Sequence, residues 1–260
     1  MNETLRYTIT ENQKHLESPY PIVTRDLEIL PVPRKATVVI GIRRCGKSTL
    51  MRERIERLLD EGVERENICH IDFSDDRLAF LCAPDAEPSL ISDTYYALYP
   101  QNHSERVYFF FDEIQYVNRW AQCVNRIQTS QQCEVYLTGT SAKLLSAEIA
   151  TELGGRSFAW TLMPFSFREF LRFKGEAEEI VDFSSRDAAK SAFSQYLEQG
   201  GMPESLLLPA PAMADQYHQA LVNDVLVLLR YNIPHAVQVK RLIQILMNSM
   251  ARLITVNKLK

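Results

Sequence analysis

No stretch of this 260-residue chain is apolar for long enough to cross a bilayer, and Met1-Asn-Glu-Thr-Leu-Arg6 lacks the make-up of a secretory leader. The five cysteines (Cys45, Cys69, Cys82, Cys123 and Cys133) are odd in number and never spaced C-x-x-C. This argues against a disulfide framework or a zinc site, and for a reducing cytoplasm. There is no internal repeat and no low-complexity tract. The last acid-free stretch is strongly basic. Between Arg230 and Lys260 there is no Asp or Glu, while Arg230, Lys240, Arg241, Arg252, Lys258 and Lys260 are basic; the remainder holds 23 basic against 33 acidic residues. A basic appendage on an acidic body fits a polyanion partner, nucleic acid or protein, although ordinary helix-surface lysine and arginine would give the same count.

What is present is more specific. Gly41-Ile-Arg-Arg-Cys-Gly-Lys-Ser48 spells G-x-x-x-x-G-K-S, a phosphate-binding loop. The apolar run Ala36–Ile40 before it reads as a buried strand. After it, Leu50, Met51, Ile55, Leu58 and Leu59 fall on one helix face before Gly62. Strand, loop and helix form the context in which backbone N–H groups turn toward phosphate. Gly41 and Gly46 permit the backbone angles, Lys47 reaches the β- and γ-phosphates, and Ser48 ligates Mg²⁺.

A second run, Val107-Tyr-Phe-Phe-Phe111, shows no polar alternation, as a central strand covered on both faces requires, and it ends in Asp112-Glu113. With a phosphate loop in the same chain, this reads as a Walker B strand carrying an extra acid. Asp112 would hold the Mg²⁺ shell and Glu113 would polarise the attacking water. That second acid favours hydrolysis over transfer to a small acceptor, and no arginine-rich lid of a small-molecule kinase is evident.

Elsewhere, residues 67–73 read as a strand, and residues 82–104 as a connection around a short helix. Trp120, Val124 and Ile127 share a helix face, and residues 134–141 form another strand. In P-loop ATPases with an additional strand, a polar residue at the tip of this strand senses the γ-phosphate. Thr138 is the first candidate and Ser141 the second; capping of the next helix explains these hydroxyls equally well. Residues 157–163 make a fifth strand, and Ser166-Phe-Arg-Glu169 is a capping box opening a helix. The βα repetition implies an α/β fold with a mainly parallel sheet flanked by helices, then a smaller mainly helical domain. The expected divisions are a lead-in over 1–35, a P-loop core over 36–164, a helical domain over 165–232 and a final segment over 233–260.

Together these residues resemble one family, the prokaryotic AAA-like ATP-binding proteins of the AAA_14 type, usually joined to a DUF4143 C-terminal domain. The resemblance is carried by the double-arginine loop through Thr49, by Phe111-Asp-Glu-Ile-Gln115 with Trp120, and by Leu137-Thr-Gly-Thr-Ser141. Narrower signatures are Leu153-Gly-Gly-Arg156, Met163-Pro-Phe-Ser-Phe-Arg-Glu-Phe170 and Gly200-Gly-Met-Pro-Glu204. It implies an AAA+-like core, ATP as the nucleotide, and contacts to it from Gly41, Arg43, Arg44, Cys45, Gly46, Lys47, Ser48 and Thr49. Arg43 and Arg44 would face phosphates or pair with neighbouring acids. It also makes Arg156 a candidate to touch the γ-phosphate from the same or a neighbouring subunit, in a homo-oligomer; a sheet-edge salt bridge is the alternative. Relatives of this type commonly continue into a nuclease-like domain, and residues 233–260 read as the start of a winged helix. The implied function is Mg-dependent ATP binding and hydrolysis coupled to conformational change, with a nucleotide-gated binding module as the alternative.

Overall fold

Alternation along the central strands decides how the layers form. In β3 (Val107–Asp112), Phe109 and Phe111 point to one side of the sheet and Phe110 to the other, as a period of two requires. On the first side they meet Leu5 and Ile9 of α1 (Glu3–His15), Tyr95 of α3 (Ser89–Leu98), and Val124 and Ile127 of α4 (Trp120–Ser130). On the second side Phe110 stacks on Tyr136, with ring centroids 4.5 Å apart, over Leu50, Met51, Ile55 and Leu58 of α2 (Lys47–Asp60). A strand that is aromatic on both faces therefore calls for helices on both faces, giving three layers.

The computed structural model describes residues 2–16, 22–130, 132–140, 152–176 and 183–208, with positions 220 and 241. Five strands pair in the order β2-β3-β4-β1-β5, all parallel, with β1 at Ala36–Gly41, β2 at Ile68–Asp72, β4 at Cys133–Thr140 and β5 at Ser157–Thr161. Strand β4 lies between the P-loop strand and the Walker B strand. This is the additional-strand order of P-loop NTPases, and it bears out the expected α/β fold. The sheet is followed by α5 (Phe167–Lys174), α6 (Phe183–Gln199) and the short α7 (Pro203–Leu206). The capping box is present in both directions: Ser166 Oγ accepts from Glu169 N–H, and the Glu169 carboxylate accepts from Ser166 N–H.

Two expectations need correction. The first 35 residues are not merely a lead-in, because α1 is a helix capped by Asn2, with Leu5 and Ile9 fully buried. Its apolar contacts are few, and polar side chains complete the seam. Asn12 Nδ2 donates to His70 O (3.1 Å) and Gln13 Nε2 to Ile68 O (3.2 Å), so amides rather than a long apolar stripe hold it to β2. Nor does the chain divide near residue 164. Its compact units are Met1–Leu206 and Leu207–Lys260, so α5 to α7 group with the sheet. Phe165 N–H donates to Gly201 O (2.7 Å) and Tyr196 hydroxyl to Phe165 O (2.7 Å), fastening this region to the end of β5. A Cβ at Gly201 would come within 2.3 Å of Phe165 O, so this contact requires glycine. Apart from positions 220 and 241, the expected helices beyond residue 212 and the winged-helix start lie outside the described residues.

On β2, burial depresses His70 to a pKa of about 4; nearby Asp72 opposes the shift and Arg52 adds to it. Between this value and its ordinary 6.5, the unfolded chain takes up a proton that the folded chain does not. Stability should therefore fall as pH drops through that window, by about 1–3 kcal/mol for a half-buried group. Urea unfolding of His70→Gln from pH 7 to pH 4 should show a shallower loss than the wild type.

Candidate nucleotide site

The loop begins where β1 ends. Gly41 is packed so closely under the chain leaving β5 that a Cβ would lie 2.5 Å from Leu162 O. Gly46 caps α2 with φ of 99°, a left-handed conformation open to glycine at no steric cost. Arg44, at φ of 66°, also takes up left-handed backbone. Cys45 is buried, and loss of hydration pushes its thiol pKa up against the pull of Lys47 and Arg25. It is therefore a neutral filler that contributes backbone to the loop. Arg43, Arg44 and Ser48 are exposed, while Thr49 is half-buried in the first turn of α2. Arg44 pairs with Glu204 at 3.4 Å, so the Gly-Gly-Met-Pro-Glu turn reaches the loop.

Lys47 is almost fully buried, and its ammonium donates to Gly41 O (3.4 Å) and Ile42 O (3.3 Å). It also lies 3.8 Å from Glu113 Oε1, which brings the lysine of the loop to the second acid of β3. The first acid, Asp112, is buried, and burial raises its pKa. Hydrogen bonds from Ser48 and Thr138 oppose that shift, whereas Asp72 and Glu113 reinforce it. Glu113 turns left-handed at φ of 51°, and its carboxylate accepts from Gln115 Nε2. For a residue with a Cβ this costs about 1–2 kcal/mol, so strain is stored where the acid must point.

Thr138 lies at the centre of this arrangement. Its hydroxyl accepts from Glu113 N–H (3.0 Å) and donates to Asp112 Oδ1. A hydroxyl has a single proton, so a Thr138 engaged on Asp112 has none left for a phosphate. In this geometry Thr138 holds both acids. Ser141, the other candidate, lies outside the described residues.

Arg156 is elsewhere. It precedes β5, and its carbonyl accepts from Ala36 N–H (2.8 Å) at the start of β1, while the loop follows Gly41 at the other end. In a parallel sheet those ends are roughly 16 Å apart at strand rise. Parallel register thus removes Arg156 from the nucleotide site of its own subunit. Its guanidinium reaches the Thr129 hydroxyl at 3.5 Å.

The residues that could hold Mg²⁺ fit a shared site rather than an all-protein cage. Ser48 is near enough to Asp112 to hold its pKa down, which puts two oxygen donors for a hard cation side by side. Among the described residues no cluster of three or more His, Cys, Asp or Glu could hold a metal, so phosphate oxygens would complete the shell. A separate cavity of about 240 Å³ lies between the lead-in and α2, lined by Leu27, Ile29, Leu50 and Glu53; it contains none of the loop residues. Among the described residues no helix is long and apolar enough to cross a membrane.

A family model described as an AAA domain, AAA_14, matches residues 33–171. The chain belongs to this family. Among relatives of this AAA domain protein is an uncharacterised protein of Haemophilus influenzae, 31% identical over 192 residues, covering 72% of this chain and 45% of the relative. An uncharacterised protein of Methanocaldococcus jannaschii is 29% identical over 242 residues, covering 92% and 52%. The chain thus spans about half the length of the curated relatives it matches. Among solved structures, Aeropyrum pernix ORC1 in complex with DNA superposes at a TM-score of 0.38 with 13% identity, over 99% of this chain and 80% of that one. AMPPCP-bound DnaA of Aquifex aeolicus gives 0.41 with 12% identity, over 100% and 82%. With TM-scores under 0.5, neither superposition adds to what the sheet order and the family membership establish.

Sequence reading passed over Arg25 and gave no role to Gln115 or Glu204. The first had a visible signal: Arg25, Leu27 and Ile29 alternate with exposed Thr24, Asp26 and Glu28, which puts an arginine in the apolar phase of an extended run.

Replacing Thr138 with the near-isosteric Val should strand Glu113 N–H and remove a donor from Asp112. We expect a loss of about 1–3 kcal/mol in urea unfolding, with Thr138→Ser close to wild type.

Proposed function

We propose that this AAA domain binds ATP with Mg²⁺ and hydrolyses it, coupling the cycle to a change of conformation. The observation that carries the reading is the meeting of Lys47 with Glu113 at 3.8 Å, beside the buried Asp112. Loop and acids come from different strands, and a phosphate-handling site needs them together.

In this mechanism N–H groups of residues 42–48 and the Lys47 ammonium bind the phosphates. Lys47 exchanges the carbonyls of Gly41 and Ile42 for phosphate oxygens and moves away from Glu113. Glu113 is then free to take a proton from a water whose oxygen attacks the γ-phosphorus. The bond from that phosphorus to the β-γ bridging oxygen breaks, and ADP keeps the electron pair. Mg²⁺ would be held through Ser48 and Asp112 and would supply neutralisation of phosphate charge. Thr138 keeps the two acids oriented. Arg156 would act only on a site of a second copy, so its participation requires a homo-oligomer. The five cysteines carry no disulfide and fit a reducing cytoplasm.

A second reading, a nucleotide-gated binding module for nucleic acid or a protein, is favoured by the run of six basic and no acidic residues over 230–260. Apart from position 241, that run lies outside the described residues. DNA binding that weakens with salt and with Lys240→Glu/Arg241→Glu would support it.

Lys47→Ala should lower ATP affinity at least tenfold; unchanged affinity in a titration with fluorescent ATP would sink the assignment. In Glu113→Gln we expect binding to persist while turnover falls about 10²-fold or more. Binding without turnover in the wild type would favour the switch. Arg156→Ala should leave ATP affinity untouched. Any fall in its turnover should be confined to conditions under which specific activity rises with protein concentration.

A further inference from the structure

A phosphate loop works by turning successive N–H groups inward. In a trans peptide the carbonyl points the opposite way from the N–H of the next residue, so each inward N–H leaves an outward oxygen that needs a donor. At the Cys45–Gly46 peptide that donor is Arg25, whose Nη1 lies 2.9 Å from Cys45 O. The guanidinium is held on every side. Its Nε donates to Glu169 Oε1 (2.8 Å), its Nη2 to Met163 O (2.6 Å) and, at 3.5 Å, to Glu169 Oε2. Its carbon sits 4.8 Å from the centre of the Phe165 ring. Side-chain exposure is 4% for Arg25 and 5% for Glu169, so neither charge has water to turn to. Glu169 is fixed in turn by Asp26 N–H (2.8 Å) and Ser166 N–H (2.8 Å). Gly46 fits against this group closely, since a Cβ there would lie 3.2 Å from Arg25 Nη1.

We propose that Arg25 is a positioning residue of the nucleotide site, gripping the outer face of the Cys45–Gly46 peptide so that Gly46 N–H points into the loop. Glu169 sets Arg25 through a buried ion pair. The inference rests on the reading of Gly41–Ser48 as a phosphate-binding loop. Lysine cannot replace this arginine, because one ammonium cannot serve the Cys45 carbonyl, the Met163 carbonyl and both Glu169 oxygens from a single planar fork. The Met163–Phe170 segment thereby forms the outer half of the phosphate loop, supplied from beyond the end of β5.

The test uses the full chain labelled with ¹⁵N-glycine, whose nine glycines give a simple amide spectrum. The Gly46 signal is identified by its loss in Gly46→Ala. Arg25→Lys is compared with wild type for glycine amide positions, thermal unfolding and affinity for fluorescent Mg-ATP. We expect the Gly46 amide to move, the amides far from the loop to stay, and ATP affinity to fall roughly tenfold or more, as for the loss of a charge-assisted hydrogen bond. Wild-type affinity with an unmoved Gly46 amide would overturn the proposal and leave the ATPase reading intact. So would an equal shift of all glycine amides with a collapse in unfolding temperature, since that marks general loosening. If the wild type fails to bind ATP, the ATPase reading falls, and the Gly46 amide alone decides whether Arg25 orients the peptide. Glu169→Gln, which keeps size and hydrogen-bonding reach, is read in the same way should Arg25→Lys not fold.

Discussion

A buried guanidinium is stable only while its donors are taken and an opposite charge lies beside it; removing the partner of such a pair costs about 3–5 kcal/mol. Arg25 imposes that condition on four parts of this chain at once: the extended segment before β1, the loop after it, the chain leaving β5, and α5. None of these can shift alone without stranding a charge. The grouping of α5 to α7 with the sheet follows, because the carboxylate that balances Arg25 is carried by α5. The contact between Arg44 and Glu204 extends the connection to the turn before α7, although an exposed pair of this kind adds little energy.

The acids are governed by a different constraint, the insertion of β4 between β1 and β3. Loop and acid strand are not hydrogen-bonded neighbours; two strand spacings, roughly 10 Å, separate them. The tip of β4 fills the interval, and Thr138 is the residue that does so. It ties down the Asp112 carboxylate and the Glu113 backbone together, while Lys47 approaches from the loop side. A left-handed Glu113 is tolerable because its N–H has been caught.

Most of this was legible from residue patterns. The glycine–lysine–serine spacing, the unbroken aromatic run of β3 and the periodicity of α2 and α4 depend on local sequence and on burial on both faces, and each formed as expected. What escaped reading depends on pairs distant in the chain. Glu169 looks like a capping residue, and it is one, but nothing near it shows that its charge is answered by Arg25, 144 positions earlier. The direction of Arg156 stayed open for a related reason. Its Gly-Gly-Arg setting carries no direction, and only the parallel register of β5 on β1 shows that it stands at the far end of the sheet. Helix α1 was missed because amides, rather than a broad apolar stripe, anchor it.

Those amides bear on more than anchoring. Asn12 and Gln13 occupy the carbonyls of His70 and Ile68 along β2, the outermost strand on that flank, which would otherwise be a template for any passing extended chain. During synthesis the helix leaves the ribosome roughly fifty residues before the strand that it shields. In this strand order β2 pairs with β3 alone, so it has to wait for the acid strand, about 35 residues further on. The residues of the shield are already outside when that interval begins, so this edge strand can be covered as soon as it emerges.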